Sequence, residues 1–529
     1  MTSLPSPSNL WLVGWAVAAV ALASAIALGP LDGVPHVQDE VVYEFQARLL
    51  SEGRLWEEER LPRAAYPYEF IINADGRRYG VMPNGWPLLL ALGVLVGLPW
   101  LVNPLLHGLT VVASAYLAGR IDARARWLAA PILALSPGLL IQSASRMSHT
   151  LSALLTLTAA ILLLGSASRR RALLLGAVLG WLLLTRTLDG VVVATLAATW
   201  IVLTRALPRW WPALAPLSVA LLLIAAQNHI LEGSVARFPQ TSWFARMEPP
   251  TADHGWRYSE GCNRLGFGAD RGCFVVSGSV GHTPRKALQF VADNVRLAGR
   301  LWFGAWPLAL LLLPAVLAPR LRRFGVMALS TWGGVAAAYA FYWYPGLCYG
   351  PRFHHAAAPL LLVALALGTA WVVQRLRLPK IVGLLPLIAL VWRLDATLPE
   401  LERYWGVDDR LDRFERLWTR GPALMLVASG PPYAVRQPLP NTAGLVAIFP
   451  DFLRRSMWIE RRGGELLYAE YHPELVATLR ARHPQRPAYV LALHPDPAHD
   501  FVTPIEEAPP SSRALEDLPL PVDMPRIER

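Results

Sequence analysis

Asp39 and Glu40 stand side by side in GVPHVQDEVVYEFQARLL, just past the first long apolar segment of the chain. Carboxylates at a membrane–water boundary are costly to hold near lipid, and a carboxylate set beside a hydroxyl is a general base. Both residues also fall at the start of a helical pattern, where the helix dipole favours acids, so capping is the competing reading of the pair. Arg352 follows Gly350-Pro351 and precedes another long apolar stretch. Its planar, permanently charged fork suits a phosphate at headgroup depth.

Other polar residues gather at the ends of apolar segments. SASRMSHT supplies Arg146 and His149, LLLTRTLDG supplies Arg186 and Asp189, and FYWYPGLCYGPRFHH supplies Tyr349, His354 and His355. Arg146 and Arg186 are candidates to assist Arg352 on a phosphate. The alternative is that each snorkels to the interface, or that Arg186 and Asp189, three apart, neutralise each other. His149, Asp189, Tyr349 and His354 are candidate substrate contacts. Adjacent histidines on a helix point to different faces, so a metal held by both His354 and His355 is disfavoured, and no metal ligands are assigned. The aromatic run Phe341, Tyr342, Trp343, Tyr344 reads as an interfacial belt rather than a sugar platform.

These residues need a membrane scaffold to bring them together. The chain has 529 residues, 54% hydrophobic and 16% charged, against about 25% charged in ordinary soluble domains. Apolar stretches of roughly 17–20 residues, enough to cross a bilayer, recur from residue 10 to about residue 398. The first, 10–30, has a small-residue region resembling a signal-peptide cleavage site. No basic residue precedes it and many spans follow, which favours an uncleaved helix. The net charge of +11 comes from Arg and Lys clustered in short loops between spans. That is the positive-inside pattern, not a nucleic-acid stripe, so a nucleic-acid partner is not expected.

Placing the basic loops on one side gives about eleven crossings. Residues 86–119, broken by Pro99 and Pro104, count as one net crossing with a kinked or re-entrant first half. The first outer loop, 31–85, carries an amphipathic pattern over 37–50, read as a helix lying along the membrane surface with Glu44 and Arg48 paired on its polar side. Asp75-Gly76 between two short β-prone runs reads as a hairpin. A second large outer loop covers 231–298 and holds Cys262 and Cys273, where a disulfide and two free thiols are both open. From 399 to 503 the composition turns polar. RYWGVDDRLDRFERLW reads as an amphipathic helix, ALMLVAS, GLVAIF and AYVLAL as strands, and 473–482 as a helix, together a small α/β domain. The Pro-rich acidic tail, 504–529, reads as disordered.

In this order and with this common sidedness, the chain resembles the GT-C glycosyltransferases, and is similar to the branch holding protein O-mannosyltransferases and the aminoarabinose transferases of lipid A. The resemblance rests on the Asp39-Glu40 pair, the helix behind it, DGRRYGVMPNGWPLLLALG and the GPRF turn, and spans roughly residues 10–398. It implies a polytopic α-helical membrane protein with a small extracytoplasmic α/β domain. It implies an enzyme of the plasma (inner) membrane that moves a hexose or pentose from a polyprenyl-phosphate donor to an envelope glycan, lipid or protein on the extracytoplasmic face. By the same resemblance Asp39 is the base, Glu40 supports or replaces it, and Arg352 binds the lipid phosphate. The chain departs from the family in two places. The loop that carries a second acid in some relatives has His149 instead, and the Asp-x-Asp of metal-dependent members is Asp-Glu here. A divalent metal is therefore left open, and no other cofactor is implied. The absence of a Gly-rich nucleotide loop after a strand agrees with a lipid-linked donor. The rival reading is a transporter or flippase of lipid-linked sugars, which would place ionisable residues inside repeated helices; no internal repeat is visible. A non-catalytic scaffold is the third.

Overall fold

The computed structural model describes residues 9–66, 68–246, 263–269, 271, 281–402, 404, 407–429, 465–493 and 501–507. Cys262 and Cys273, and the GLVAIF run, lie outside these residues. Two bodies of structure emerge: a bundle of apolar helices, and a small four-stranded sheet formed by the C-terminal part.

The bundle begins with α1 (Asn9–Leu28), which has no charged side chain and leaves Leu10, Val13 and Val17 exposed. A helix whose solvent is hydrocarbon needs no polar outer face. α2 (Gln38–Ser51) follows in the first loop. The sequence pattern there implied a surface helix, but the structure buries nine of its residues, including the polar Gln38, Glu40 and Gln46. Glu44 is paired with Arg146, 3.3 Å away, rather than serving only a solvated face. Strands β1 (Glu57–Glu58), β2 (Ile71–Ala74) and β3 (Arg77–Gly80) form an antiparallel sheet in the order β1-β3-β2. Asp75 and Gly76 make the expected turn, both with left-handed φ (56° and 77°).

α3 (Gly85–Leu95) and α4 (Val102–Ile121) replace the long segment 86–119. Gly85 is a point of close approach: a Cβ there would lie 2.6 Å from the Leu184 backbone. The residues flanking the α3 segment, Asn84 and Asn103, sit at the end of the bundle that carries Asp39. Asn84, before it, is bonded by Gln46, and Asn103, just after its exit, donates to the carbonyls of Ser145 and Met147. α3 thus returns to its own side and α4 alone traverses the bundle.

α5 (Arg126–Leu135) and α6 (Pro137–Ala144) meet at a 51° bend before Pro137. α7 (His149–Leu164), α8 (Arg169–Thr185) and α9 (Thr187–Leu203) then run back and forth. A single turn, α10 (Leu207–Trp210), leads to α11 (Leu214–Glu232). The stretch 231–298, expected as a loop, holds α12 (Pro239–Arg246) and most of α13 (Pro284–Leu301). After α14 (Leu313–Leu317) and α15 (Pro319–Ala340), a 3-10 turn over Arg352–Ala357 opens α16 (Ala358–Arg375). α16 is the central post, buried on all sides from Ala358 to Ala370. α17 (Leu385–Thr397) closes the bundle.

Among the described residues, five helices are long and apolar enough to cross a bilayer, or seven if each bent pair is one span. The expectation of about eleven crossings is not reached on length and composition. α7, α8 and α9 are only 16, 17 and 17 residues long. α8 and α15 also start in Arg-rich turns.

In the C-terminal part, β4 (Ala423–Ser429), β5 (Leu466–Glu470), β6 (Ala488–Leu493) and β7 (Phe501–Pro504) form a sheet ordered β5-β4-β6-β7. Its pairs are parallel except β6–β7. Continuous apolar runs in β4 and β6 fit a parallel sheet covered on both faces. The helix expected over the RYWGVDDRLDRFERLW segment is shorter in the structure, α18 (Arg410–Leu417). β5 and β7 were not foreseen, and β7 extends the sheet to Pro504, where the tail was expected to begin.

Candidate active site

A cavity of about 610 Å³ opens at the Asp39 end of the bundle. Asp39 and Arg352 meet on its wall, Arg352 Nη1 donating to Asp39 Oδ2 at 2.8 Å although 313 positions separate them. Asp39 is there because α2 starts at Gln38, which places it in the first turn with its side chain partly open to the cavity. Arg352 is there because the chain before it is wound tightly. Gly346 (φ 67°), Tyr349 (φ 55°) and Gly350 (φ 101°) all adopt left-handed backbone, and the Arg352 amide closes on the Gly346 and Gly350 carbonyls at 3.0 and 2.8 Å. A side chain at Gly346 would collide with the Phe353 ring. Gln142 of α6 holds the carbonyls of Cys348 and Tyr349, and Asn294 of α13 holds that of Pro345. The turn is strained locally and is determined by its surroundings.

Arg186 also lines the cavity. Its Nε donates to Asp189 Oδ2 at 2.7 Å and its Nη2 to the Tyr339 hydroxyl at 2.6 Å, while Tyr339 donates to Asp189 Oδ1 at 2.7 Å. Ser152 completes the set with a 2.8 Å bond to Asp189. Asp189 is therefore the anchor of Arg186, the neutralising arrangement their spacing allowed, and is itself behind the wall. Arg186 and Arg352 both lie against the Phe353 ring, at 5.7 and 5.2 Å from its centroid.

Glu40 has a different fate from Asp39. Its Oε2 accepts from the backbone amides of His36 (2.9 Å) and Val37 (3.0 Å) and from the Tyr349 hydroxyl (2.8 Å), and its Oε1 accepts from the Arg146 amide (2.7 Å). Burial pushes its pKa up, against the pull of those donors. Glu40 has no face toward the cavity, and it knots three chain segments together. Arg146 belongs to the same knot: its side chain donates to the Gly33 carbonyl at 2.7 Å and its own carbonyl accepts from Trp86. Burial raises the Tyr349 pKa, which keeps its hydroxyl a donor. His36 is held neutral, its pKa lowered to about 3 by burial and by the Arg146 charge.

Of the residues singled out from the sequence, the cavity wall thus collects Asp39, Arg186 and Arg352. Glu40, Arg146, Asp189 and Tyr349 stand behind the wall as its supports. His149 and His354 are buried away from it, His354 edge-on to Trp332 at 6.1 Å. Tyr342, Trp343 and Tyr344, expected as interfacial anchors, line the cavity. Glu69, Tyr43, Tyr339, Gln227 and Asn228 were not foreseen and line it as well. Nothing local marks them, since each needs a fold to aim it. Among the described residues no three His, Cys, Asp or Glu side chains converge to hold a metal ion.

No family model and no curated protein matches the sequence. Solved structures do. ArnT from Cupriavidus metallidurans bound to undecaprenyl phosphate is 14% identical, with a TM-score of 0.54, and the match covers 92% of this chain and 93% of that one. Its apo state gives the same figures. The mycobacterial arabinofuranosyltransferase AftD is 17% identical over 97% of this chain, which spans 37% of its length, with a TM-score of 0.43. The ArnT likeness shows a shared fold, that of a polytopic helical bundle.

Proposed function

We propose that this protein transfers a sugar from a polyprenyl-phosphate donor to an acceptor hydroxyl, at a cavity on the extracytoplasmic side of a plasma (inner) membrane. The observation that carries the reading is the meeting of Asp39 with Arg352, beside Arg186, in a cavity that also has an apolar side, an aromatic side and polar groups such as Glu69, Gln227 and Asn228. Leu184, Leu188, Val191 and Ile224 supply a greasy side suited to a prenyl chain. Tyr342, Trp343, Tyr344 and Phe353 supply flat faces suited to a sugar ring. ArnT, with the same fold, has been crystallised with undecaprenyl phosphate, which supports a ligand of this class.

In this reading the donor phosphate takes Arg352 from Asp39. The freed carboxylate accepts the proton of the acceptor hydroxyl as its oxygen bonds to the anomeric carbon, and the bond from that carbon to the phosphate oxygen breaks. The departing group gains a second negative charge, so Arg352 and Arg186 stabilise it more as the bond breaks than before. Glu40 and Arg146 hold Asp39 in place, and Asp189 and Tyr339 hold Arg186. In this reading α7, α8, α9 and α15 also span, which brings the bundle to about eleven crossings, with basic loops inside and the C-terminal sheet outside with the cavity.

The test is purified protein in lipid given polyprenyl-phosphate sugars and envelope acceptors. Sugar transfer is expected. Movement of the intact donor between leaflets without transfer would favour the flippase reading instead.

A further inference from the structure

The support behind the wall reaches into the C-terminal part of the chain. We propose that Tyr404 is a positioning residue that ties the segment after the last bundle helix to the loop carrying Asp39; the inference rests on the transferase reading above. The Tyr404 hydroxyl accepts the Tyr349 amide proton at 2.8 Å, and the two rings stack with centroids 4.6 Å apart at 19°. Tyr349 is clamped at every polar group: Tyr404 takes its N–H, Gln142 takes its carbonyl at 3.1 Å, and its hydroxyl donates to Glu40.

A tyrosine at φ 55° sits in a backbone region that side chains avoid. It stays there only if its surroundings hold it, and among the described residues Tyr404 is the one clamp that comes from beyond the bundle. On one side of Tyr349 lies the Glu40 knot, whose amides are those of His36 and Val37 at the start of α2, next to Asp39. On the other, three residues on, lies Arg352. The C-terminal sheet grips the same first loop a second time, with Ala65 and Tyr66 packed among Leu424, Leu426, Ala469 and Val490. The first loop is thus held between the bundle and the C-terminal part, and Tyr404 stands where that grip reaches the base.

Arg352 has its own restraints, its amide bonds to Gly346 and Gly350 and its place over the Tyr344 and Phe353 rings. Loss of the Tyr404 contacts reaches the base through the Tyr349–Glu40 bond, while Arg352 keeps these bonds and ring contacts of its own. Two full-length variants test this, Tyr404→Phe, which removes only the acceptor oxygen, and Tyr404→Ala, which also removes the stacked ring. The readouts are amide hydrogen exchange at His36, Val37 and Arg146, turnover, and binding of polyprenyl phosphate. Exchange at those amides should quicken in both variants. Turnover should fall on the order of tenfold for Tyr404→Phe and on the order of a hundredfold for Tyr404→Ala. Polyprenyl-phosphate affinity should stay within about threefold, well short of the cost of a lost charged hydrogen bond.

Wild-type exchange and turnover in Tyr404→Phe overturn the proposal, and that variant decides the matter if Tyr404→Ala does not fold. A parallel loss of turnover, phosphate affinity and thermal stability also overturns it, by reducing Tyr404 to general packing. If exchange quickens while Asp39→Asn keeps full turnover, the coupling stands and the assignment of Asp39 as base fails.

Discussion

The first turn of α2 presents two carboxylates to two different worlds. On the cavity side, Asp39 makes one short bond to Arg352 and keeps part of its surface open. On the buried side, Glu40 is 1% exposed and accepts four hydrogen bonds. The difference teaches how one helical turn can fix one carboxylate and leave its neighbour exchangeable. A carboxylate with every lone pair spoken for is a fastener, and one with a single exchangeable partner is available for chemistry. The same division recurs across the cavity, where Asp189 is locked by Arg186, Tyr339 and Ser152 so that Arg186 can face the space.

The sharpest way to break this division is to neutralise each acid in turn. Asp39→Asn should lower turnover by about 10²–10⁴-fold, the usual range for a lost general base, with thermal stability close to wild type. Steady-state sugar transfer and an unfolding curve on the same preparation check it. Arg352→Gln should come next. Losing a charged hydrogen bond of about 1.5–3 kcal/mol weakens donor binding by roughly 10–100-fold, read by titration with polyprenyl phosphate. Glu40→Gln should act on the other side of the division. Turning an acceptor into an amide leaves buried donors unmet and costs about 1–3 kcal/mol of stability, seen as earlier thermal unfolding. Full stability with abolished turnover in that variant would reverse the roles assigned to the two neighbours.

The smallest expected effect concerns His36, whose amide belongs to the Glu40 knot. Its pKa is about 3 in the fold against an ordinary 6.5, because burial and then Arg146 disfavour the imidazolium. The unfolded chain therefore binds more protons than the native one between those values, and stability falls as pH drops from 6.5 toward 3. His36→Gln should flatten that slope; thermal unfolding measured across the window shows it, and an unchanged slope removes His36 as its source.

Much of the scaffold could be read along the chain. Apolar length, Arg-rich loops and the Asp75-Gly76 turn are local properties, and α1, α2, α4, the β2–β3 hairpin and α16 follow from them. The α2 pattern reports which face is greasy and says nothing of what covers the other, which the structure packs against the rest of the protein. The 231–298 stretch reads as loop from its polar composition, which masks the amphipathic run of α13. Asp39, Arg186 and Arg352 stood out as residue types at helix ends. The aromatics 342–344 were assigned to the interface because an interfacial ring and a cavity ring have the same composition, and only their orientation separates them.

By itself the sequence determined a polytopic helical chain, with acids after the first span and a lone Arg before a late one, because hydrophobic length and charge placement act over a few turns of helix. Which acid faces the cavity was a tertiary decision. Asp39 and Glu40 differ by about 100° around one helix, and the selection between them is made by Arg352, Tyr349 and Arg146, which arrive from segments more than a hundred residues away. A contact between such distant segments leaves no periodic trace in the chain, since it depends on how whole helices pack and not on what any one of them is made of.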